Sequence, residues 1–190
     1  MVQRTLAGDK KKAEDEGREV VFADESGFYL LPFVGKTYAP KGETPVLRSK
    51  LSREHLSAIS AISQKGRLYI QIRETSFKGP SVVEFLRHLL KHISGKILVV
   101  WDGASIHKSK IVKKFLTDGG SKRILLERLP PYSPDLNPDE GVWQYLKCVC
   151  LKNICCRDLD HLKKELKRAI SILRSRKKII QSFFTRVGYV

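Results

Sequence analysis

The sequence contains no apolar segment near the roughly 20 residues that a membrane-spanning helix requires. Its first 20 residues also lack the apolar core of a secretory signal peptide. These absences predict a protein that stays in the cytoplasm, where its four cysteines remain reduced. The cysteines follow a C-x-C-x4-C-C spacing without the C-x2-C pairs of zinc sites, which argues against a zinc ion.

Acidic residues are scarce, with 20 Asp and Glu against 36 Lys and Arg and a net charge of +16. The last fifty residues, 141–190, hold 12 basic and 3 acidic side chains. A basic surface of this size favours a polyanionic partner, most often nucleic acid, over the alternatives of solubility or ribosome-like association. The Gly-rich Walker segment of nucleotide triphosphate sites is missing, so that class of ligand is unsupported.

The length of 190 residues suits a single domain. Residues 1–18 are a charged mixture without apolar periodicity, and we expect them to form a tail or a linker stub. The folded domain is predicted over residues 19–190 and ends in a basic helix. No internal repeat interrupts it.

Apolar periodicity predicts strands first and then alternating helices and strands. The predicted strands cover 20–24, 28–34, 36–40, 55–63, 67–74, 96–102 and 123–129, and the predicted helices cover 82–93, 109–117, 138–150 and a long stretch from 158 onward. This order indicates an α/β fold in which helices cover both faces of a mixed sheet.

Three acids stand where these elements end or begin. Asp24 and Asp102 close two strand patterns, and ligands in such sheets gather at the carboxyl ends of strands.

Glu140 follows a proline-rich loop, where Asn137 is the predicted N-cap and Pro138 the first helical residue. On this helix, periodicity predicts that Glu140 shares an outward face with Trp143 and Lys147. Three carboxylates in one cleft would repel one another, and two divalent ions would relieve that repulsion. Oxygen ligands of this kind favour Mg²⁺ or Mn²⁺ over zinc.

Each of these residues also has an ordinary structural explanation. Asp24 and Asp102 both precede turn-forming residues. Glu140 lies three residues after Asn137, where the glutamate of a capping box stands. His107, five residues beyond Asp102, would either contact phosphate or be a loop histidine without a role.

The basic C-terminal helix is predicted to bind DNA phosphates without reading bases. Its apolar stripe would anchor it to the domain, which leaves its cations on the outer faces. The cations chosen for this role are Lys163, Lys164, Lys167 and Arg168. The alternative is a charged face that only contacts water.

Three sequence blocks together resemble the acid-bearing blocks of mariner-superfamily transposases, in the bacterial insertion-sequence branch. They are DESGF at 24–28, WDGASIHKS at 101–109 and LPPYSPDLNPDEGVW at 129–143, the last being the most specific. The resemblance implies a ribonuclease H-like fold and an Asp-Asp-Glu triad of Asp24, Asp102 and Glu140 that binds two Mg²⁺ ions. It also implies cleavage at transposon ends and attack of a 3′-hydroxyl on target DNA.

The chain departs from that family in front of its first strand. The family normally carries a helix-turn-helix region there, and only some 18 residues precede the strand. We therefore expect the catalytic domain alone: the second reading frame of a two-frame element, a truncated remnant, or a sequence whose start is wrongly assigned. Its expected partner is DNA, joined in the first case by a helix-turn-helix polypeptide from the upstream frame, and a homodimer is compatible with this arrangement. The expected location is the bacterial cytoplasm, at the nucleoid. The alternatives are an inactive DNA-binding remnant and a ribonuclease H-like nuclease acting on RNA–DNA hybrids.

Overall fold

The computed structural model describes residues 15–49, 52–102, 109–130 and 133–189. Within these ranges, five strands form one sheet: β1 Arg18–Tyr29, β2 His55–Ser63, β3 Arg67–Arg73, β4 Lys96–Trp101 and β5 Ile124–Arg128. The order across the sheet is β3-β2-β1-β4-β5. Strands β1 to β3 pair antiparallel, whereas β4 and β5 run parallel to β1. The predicted mixed sheet is therefore confirmed.

The predicted hairpin between β2 and β3 is present. Gly66 has a φ of +73°, in the left-handed region that favours glycine. A Cβ atom at this position would also lie 2.9 Å from the carbonyl oxygen of Lys177. The tight turn thus requires glycine for its backbone conformation and for its close contact with the C-terminal helices.

Strand β1 is longer than its sequence pattern predicts. We expected it to stop at Asp24 and a second hairpin to follow around Gly35. Instead β1 continues to Tyr29, because β2 pairs with it from Val21 as far as Tyr29. This long-range pairing overrides the local turn preference of a Ser-Gly pair. Among residues 30–49 the only β-pairing described is an isolated bridge from Phe33 to Lys152.

The described helices are α1 Gly79–His92, α2 Lys110–Thr117, α3 Glu140–Tyr145, α4 Leu159–Ser175 and α5 Lys177–Arg186. Asp158 caps α4 as predicted, accepting a 2.7 Å hydrogen bond from the backbone N–H of His161. The predicted long C-terminal helix is wrong in one respect, because it breaks at Arg176 into α4 and α5. Helix α3 is also shorter than expected and continues as a π-helical turn over Leu146–Cys150, which leaves Val149 60% exposed instead of in the core.

Alternating side chains of the sheet build two separate cores. Phe22, Leu98 and Val100 face α3, α4 and α5, whereas Val21 and Val99 face α1 and α2. Helices therefore cover both faces, as predicted. All four cysteines are free thiols. In the described part of the chain, no helix combines the length and the apolarity that crossing a bilayer requires.

Candidate active site

The register of the sheet brings two of the predicted acids side by side. The parallel pairing of β1 with β4 reaches Ala23 opposite Trp101. Asp24 and Asp102 are the residues that directly follow this last pair. Asp24 was predicted to end its strand. Instead β1 continues past it, and Asp24 lies opposite Ser60 of β2. Asp102 is the first residue after β4 and is exposed.

The proline-rich segment delivers Glu140 at the first position of α3. The carbonyl of Asn137 accepts the N–H of Glu140 at 3.2 Å, and the side-chain oxygen of Asn137 accepts the N–H of Asp139, also at 3.2 Å. The helix thus begins two residues later than predicted. The N-cap residue Asp139 makes no side-chain capping bond to α3, so Glu140 does not occupy the third position of a capping box. Its exposed carboxylate is available for another role.

Trp143 joins α3 to strand β1. Its indole N–H donates a 3.1 Å hydrogen bond to Oδ2 of Asp24. The other oxygen of Asp24 accepts the backbone N–H of Glu25 at 2.8 Å. We expected Trp143 to share the outward face of Glu140, but it is 3% exposed and belongs to the core. One short helix therefore contacts Asp24 and carries Glu140.

The electrostatics of Asp24 reflect these neighbours. Burial, followed by the negative charge of Glu140, raises its pKa to about 7. The charge of Asp102 acts in the same direction with a smaller effect, while the hydrogen bonds from Glu25 and Trp143 oppose the shift. The structure thus brings Asp24, Glu140 and Asp102 within electrostatic range of one another.

Asp139 is a fourth acid that the sequence analysis did not identify. It is completely buried, and its Oδ2 accepts a 2.6 Å hydrogen bond from the hydroxyl of Ser60. Burial raises its pKa well above the usual range, and the charge of Asp24 contributes to that rise. The only sequence signal was an acid directly before Glu140, which does not by itself indicate burial.

Lys147 supplies a cation beside the acids. Its ammonium donates a 2.7 Å hydrogen bond to the hydroxyl of Ser26 and lies 5.3 Å from the ring centroid of Phe28. Burial lowers the pKa of Lys147, while the charge of Glu140 raises it. Lys147, Glu140 and Arg186 line one groove of about 560 Å³ between α3 and α5. The sequence analysis placed Lys147 on the face of Glu140 but gave it no role.

The predicted DNA-binding residues belong to another element, helix α4. Lys163 forms a 2.8 Å ion pair with Glu74, whereas Arg168 lies 3.9 Å from Glu165. Lys164 and Lys167 are exposed. His107 lies outside the described residues.

The donor atoms of the acids decide whether the site suits a divalent cation. Across residues 15–49, 52–102, 109–130 and 133–189, no three His, Cys, Asp or Glu side chains are close enough together to chelate one metal ion. The donors at the site are nevertheless all carboxylate oxygens, which suit Mg²⁺ or Mn²⁺. Burial and the nearby negative charge of Glu140 raise the pKa of Asp24, and a bound cation would oppose both effects. The chemistry of these donors therefore suits a divalent cation of the Mg²⁺ type.

The fold and the acids together define a class of protein. The sequence model of the DDE superfamily endonuclease family matches residues 19–163. Because this match covers most of the chain, the protein belongs to that family. A comparison with curated proteins finds no significant match.

Solved structures of Mos1 mariner transposase share the fold. Its catalytic domain superposes with a TM-score of 0.56 at 15% identity, covering 100% of this chain and 91% of that one. The Mos1 paired-end complex with Mg gives a TM-score of 0.62 at 18% identity, and the strand transfer complex gives 0.62 at 17%. Both matches cover 98% of this chain and 60% of the Mos1 chain. The predicted likeness to mariner transposases and the ribonuclease H-like fold are thereby confirmed.

Proposed function

We propose that this chain is the catalytic domain of a transposase that cleaves DNA at transposon ends and joins the ends to target DNA. The observation that carries the proposal is the placement of the acids: the β1–β4 register brings Asp24 and Asp102 side by side, and Trp143 attaches the helix of Glu140 to Asp24. The raised pKa of Asp24 agrees with this placement. Perturbed acids of this kind concentrate at active sites. Membership of the DDE endonuclease family supports the same chemistry.

Asp24, Asp102 and Glu140 are proposed to hold two Mg²⁺ ions, for which Mn²⁺ can substitute. When bound, such ions activate an attacking oxygen and stabilise the leaving oxygen at a phosphate. The protein fixes Asp24 through the indole of Trp143 and the backbone of β1, so little reorganisation is needed when the substrate binds.

The groove beside Glu140 is suited to the DNA strand. Lys147 and Arg186 offer it two cations, and Arg186 is oriented by a hydrogen bond to the side chain of Gln144. Cations at this position attract the phosphate and balance the charge of the acids. The exposed cations of α4 are proposed as a second, sequence-independent contact with DNA.

The chain spans about 60% of the Mos1 proteins in the DNA complexes. Recognition of transposon ends, a helix-turn-helix partner and a homodimer are therefore parts of the proposal. The bacterial branch and the cytoplasmic, nucleoid-associated location also remain predictions.

Nicking of supercoiled plasmid DNA tests the proposal. The wild type is expected to nick in Mg²⁺ or Mn²⁺ and not in EDTA. Asp102→Asn and Glu140→Gln should each lower the rate by more than about 100-fold, the upper range for groups that only support a metal ligand. Asp118→Asn, an exposed acid at the end of α2, is the matched control and should keep full activity.

The melting temperature separates the two roles of Glu140. Loss of nicking by Glu140→Gln with an unchanged melting temperature supports a metal ligand, whereas retained activity supports a helix-capping role. Metal-independent nicking would contradict the mechanism. A wild type that binds DNA but nicks in neither ion would favour the inactive remnant.

A further inference from the structure

A buried hydrogen bond joins strand β2 to the residue that precedes Glu140. Ser60 lies opposite Asp24 in the β1–β2 ladder, and Asp139 directly precedes Glu140. The hydroxyl of Ser60 donates to Oδ2 of Asp139 at 2.6 Å, and both residues are completely buried. The bond therefore connects Ser60, which lies opposite Asp24 in the sheet, with Asp139, which precedes Glu140 in the sequence.

Burial of Val142 and the bond from the Asp139 N–H to the Asn137 side chain also hold the first turn of helix α3. It is six residues long and its N-cap residue makes no side-chain capping bond. The indole of Trp143 attaches the helix to Asp24 one turn further along. The bond between Asp139 and Ser60 is a tether that attaches the residue next to Glu140 to strand β2.

Burial of a carboxyl group is costly unless it is hydrogen-bonded, and an apolar pair of similar size would often stabilise a core equally well. The surrounding core does use apolar residues, since Phe28, Val142 and Leu146 are all completely buried. A hydrogen bond is directional, so the bond from Ser60 fixes the orientation of Asp139 more specifically than apolar packing would.

We propose that Asp139 is a positioning residue, which holds the Glu140 carboxylate at its working distance from Asp24 through the hydrogen bond from Ser60. Asp139 acts through Glu140 and does not itself touch DNA or a cation. This inference rests on the proposed function, because it assigns Asp139 to the same active site.

Nicking kinetics of four variants test this role. Ser60→Ala and Asp139→Leu both break the tether, and each should lower the maximal nicking rate by about 10- to 100-fold, as expected for a misplacement of roughly 1 Å. The affinity for DNA should stay within about twofold, because neither residue contacts it. Asp139→Asn retains an acceptor oxygen for Ser60 and should restore most of the rate. The double variant Ser60→Ala/Asp139→Leu should be no slower than Asp139→Leu, since both changes remove one interaction.

Ser63→Ala is the matched control for a buried hydroxyl. Ser63 lies on the same strand, is also completely buried, and its hydroxyl has no hydrogen-bond partner within the described ranges. This variant should nick at the wild-type rate. If Asp139→Leu fails to fold, Ser60→Ala still decides the question.

A second readout does not depend on activity. The chain has two tryptophans, so the indole N–H of Trp143 gives an easily assigned NMR signal. Movement of α3 should shift this signal in Ser60→Ala and leave it unchanged in Ser63→Ala. The signal still tests the tether if the wild type proves unable to nick DNA, in which case the proposed function fails separately.

Three results would overturn the inference. The first is a rate within twofold of wild type in Ser60→Ala. The second is an indole signal that Ser60→Ala leaves in place. The third is an Asp139→Asn variant as slow as Asp139→Leu, because that result would show that the negative charge of Asp139 itself is required.

Discussion

The acids at the edge of the sheet and the cations of α4 carry opposite charge and have opposite surroundings. Asp24 and Asp139 are largely or completely withdrawn from water and accept hydrogen bonds from Trp143 and Ser60. The cations of α4 lie on an outer helix face, where water and dissolved ions screen their charge.

This difference separates evidence for function from evidence for solubility. A buried group of like charges is unfavourable and persists only where the fold fixes it or a ligand neutralises it. An exposed basic face carries little such penalty, so its presence alone does not establish binding. The acids consequently support the proposed function more strongly than the cations do.

The largest expected effect is the competition between a proton and a divalent cation for Asp24. The pKa of Asp24 is raised to about 7, so a cation must displace its proton below that pH. The affinity for Mn²⁺ should therefore weaken by roughly tenfold per pH unit below 7 and level off above it. Titration of free Mn²⁺ by EPR between pH 5 and pH 8 measures this dependence. An affinity independent of pH would show that Asp24 is not a ligand.

The second prediction is a gain in stability when Asp24 loses its charge. Its raised pKa means that the folded state keeps the proton between about pH 4 and 7, so stability falls as the pH rises through this range. Asp24→Asn should raise the free energy of unfolding by about 2 kcal/mol at pH 8, after allowance for one weakened hydrogen bond. At pH 5 the gain should disappear. Urea denaturation at both pH values measures it.

Asp102→Asn provides the comparison for that measurement. Asp102 is exposed beyond the end of β4, so its substitution should change stability by less than about 0.5 kcal/mol at either pH. Equal effects of the two substitutions would mean that burial does not distinguish the two acids.

The sequence predicted the parts of the fold that local pattern determines. The run of Lys96–Trp101 and the hairpin at Gly66 follow from apolar periodicity and from turn chemistry. Local pattern does not predict the length of β1, because this length depends on pairing with a strand some thirty residues away. Local preference at Ser26 and Gly27 indicates a turn, and only the partner strand reverses that preference.

The candidate site shows the same division. Spacing within three blocks identified Asp24, Asp102 and Glu140 as a group. The tether to Ser60 spans 79 positions and the contact of Trp143 with Asp24 spans 119, so no local pattern reveals either one. Helical periodicity placed Trp143 outward with Glu140, whereas packing and the contact with Asp24 bury it.

The third prediction tests the hydrogen bond that holds Asp24. Trp143→Phe removes the indole N–H, and in the wild type the hydrogen bond from this group lowers the pKa of Asp24. The pKa should therefore rise further, and Mn²⁺ affinity at pH 7 should fall by about tenfold, the equivalent of one hydrogen bond to a charged group. Tyr145→Phe on the same helix, which removes a hydroxyl bonded to Arg176, is the control and should leave the affinity unchanged.

The smallest expected effect distinguishes two lysines of α4. Lys167 is exposed, whereas Lys163 is already paired with Glu74 at 2.8 Å. If α4 contacts DNA phosphates, Lys167→Gln should flatten the log–log slope of affinity against salt by about 0.9. Lys163→Gln should flatten it by less, because Glu74 already neutralises that charge. Fluorescence anisotropy with unrelated DNA duplexes at several salt concentrations measures both slopes, and neither substitution should alter stability measurably, because surface ion pairs contribute little. Unchanged slopes in both variants would identify this face of α4 as merely solvated and would direct the DNA path to the groove between α3 and α5, where Lys147 and Arg186 provide the cations.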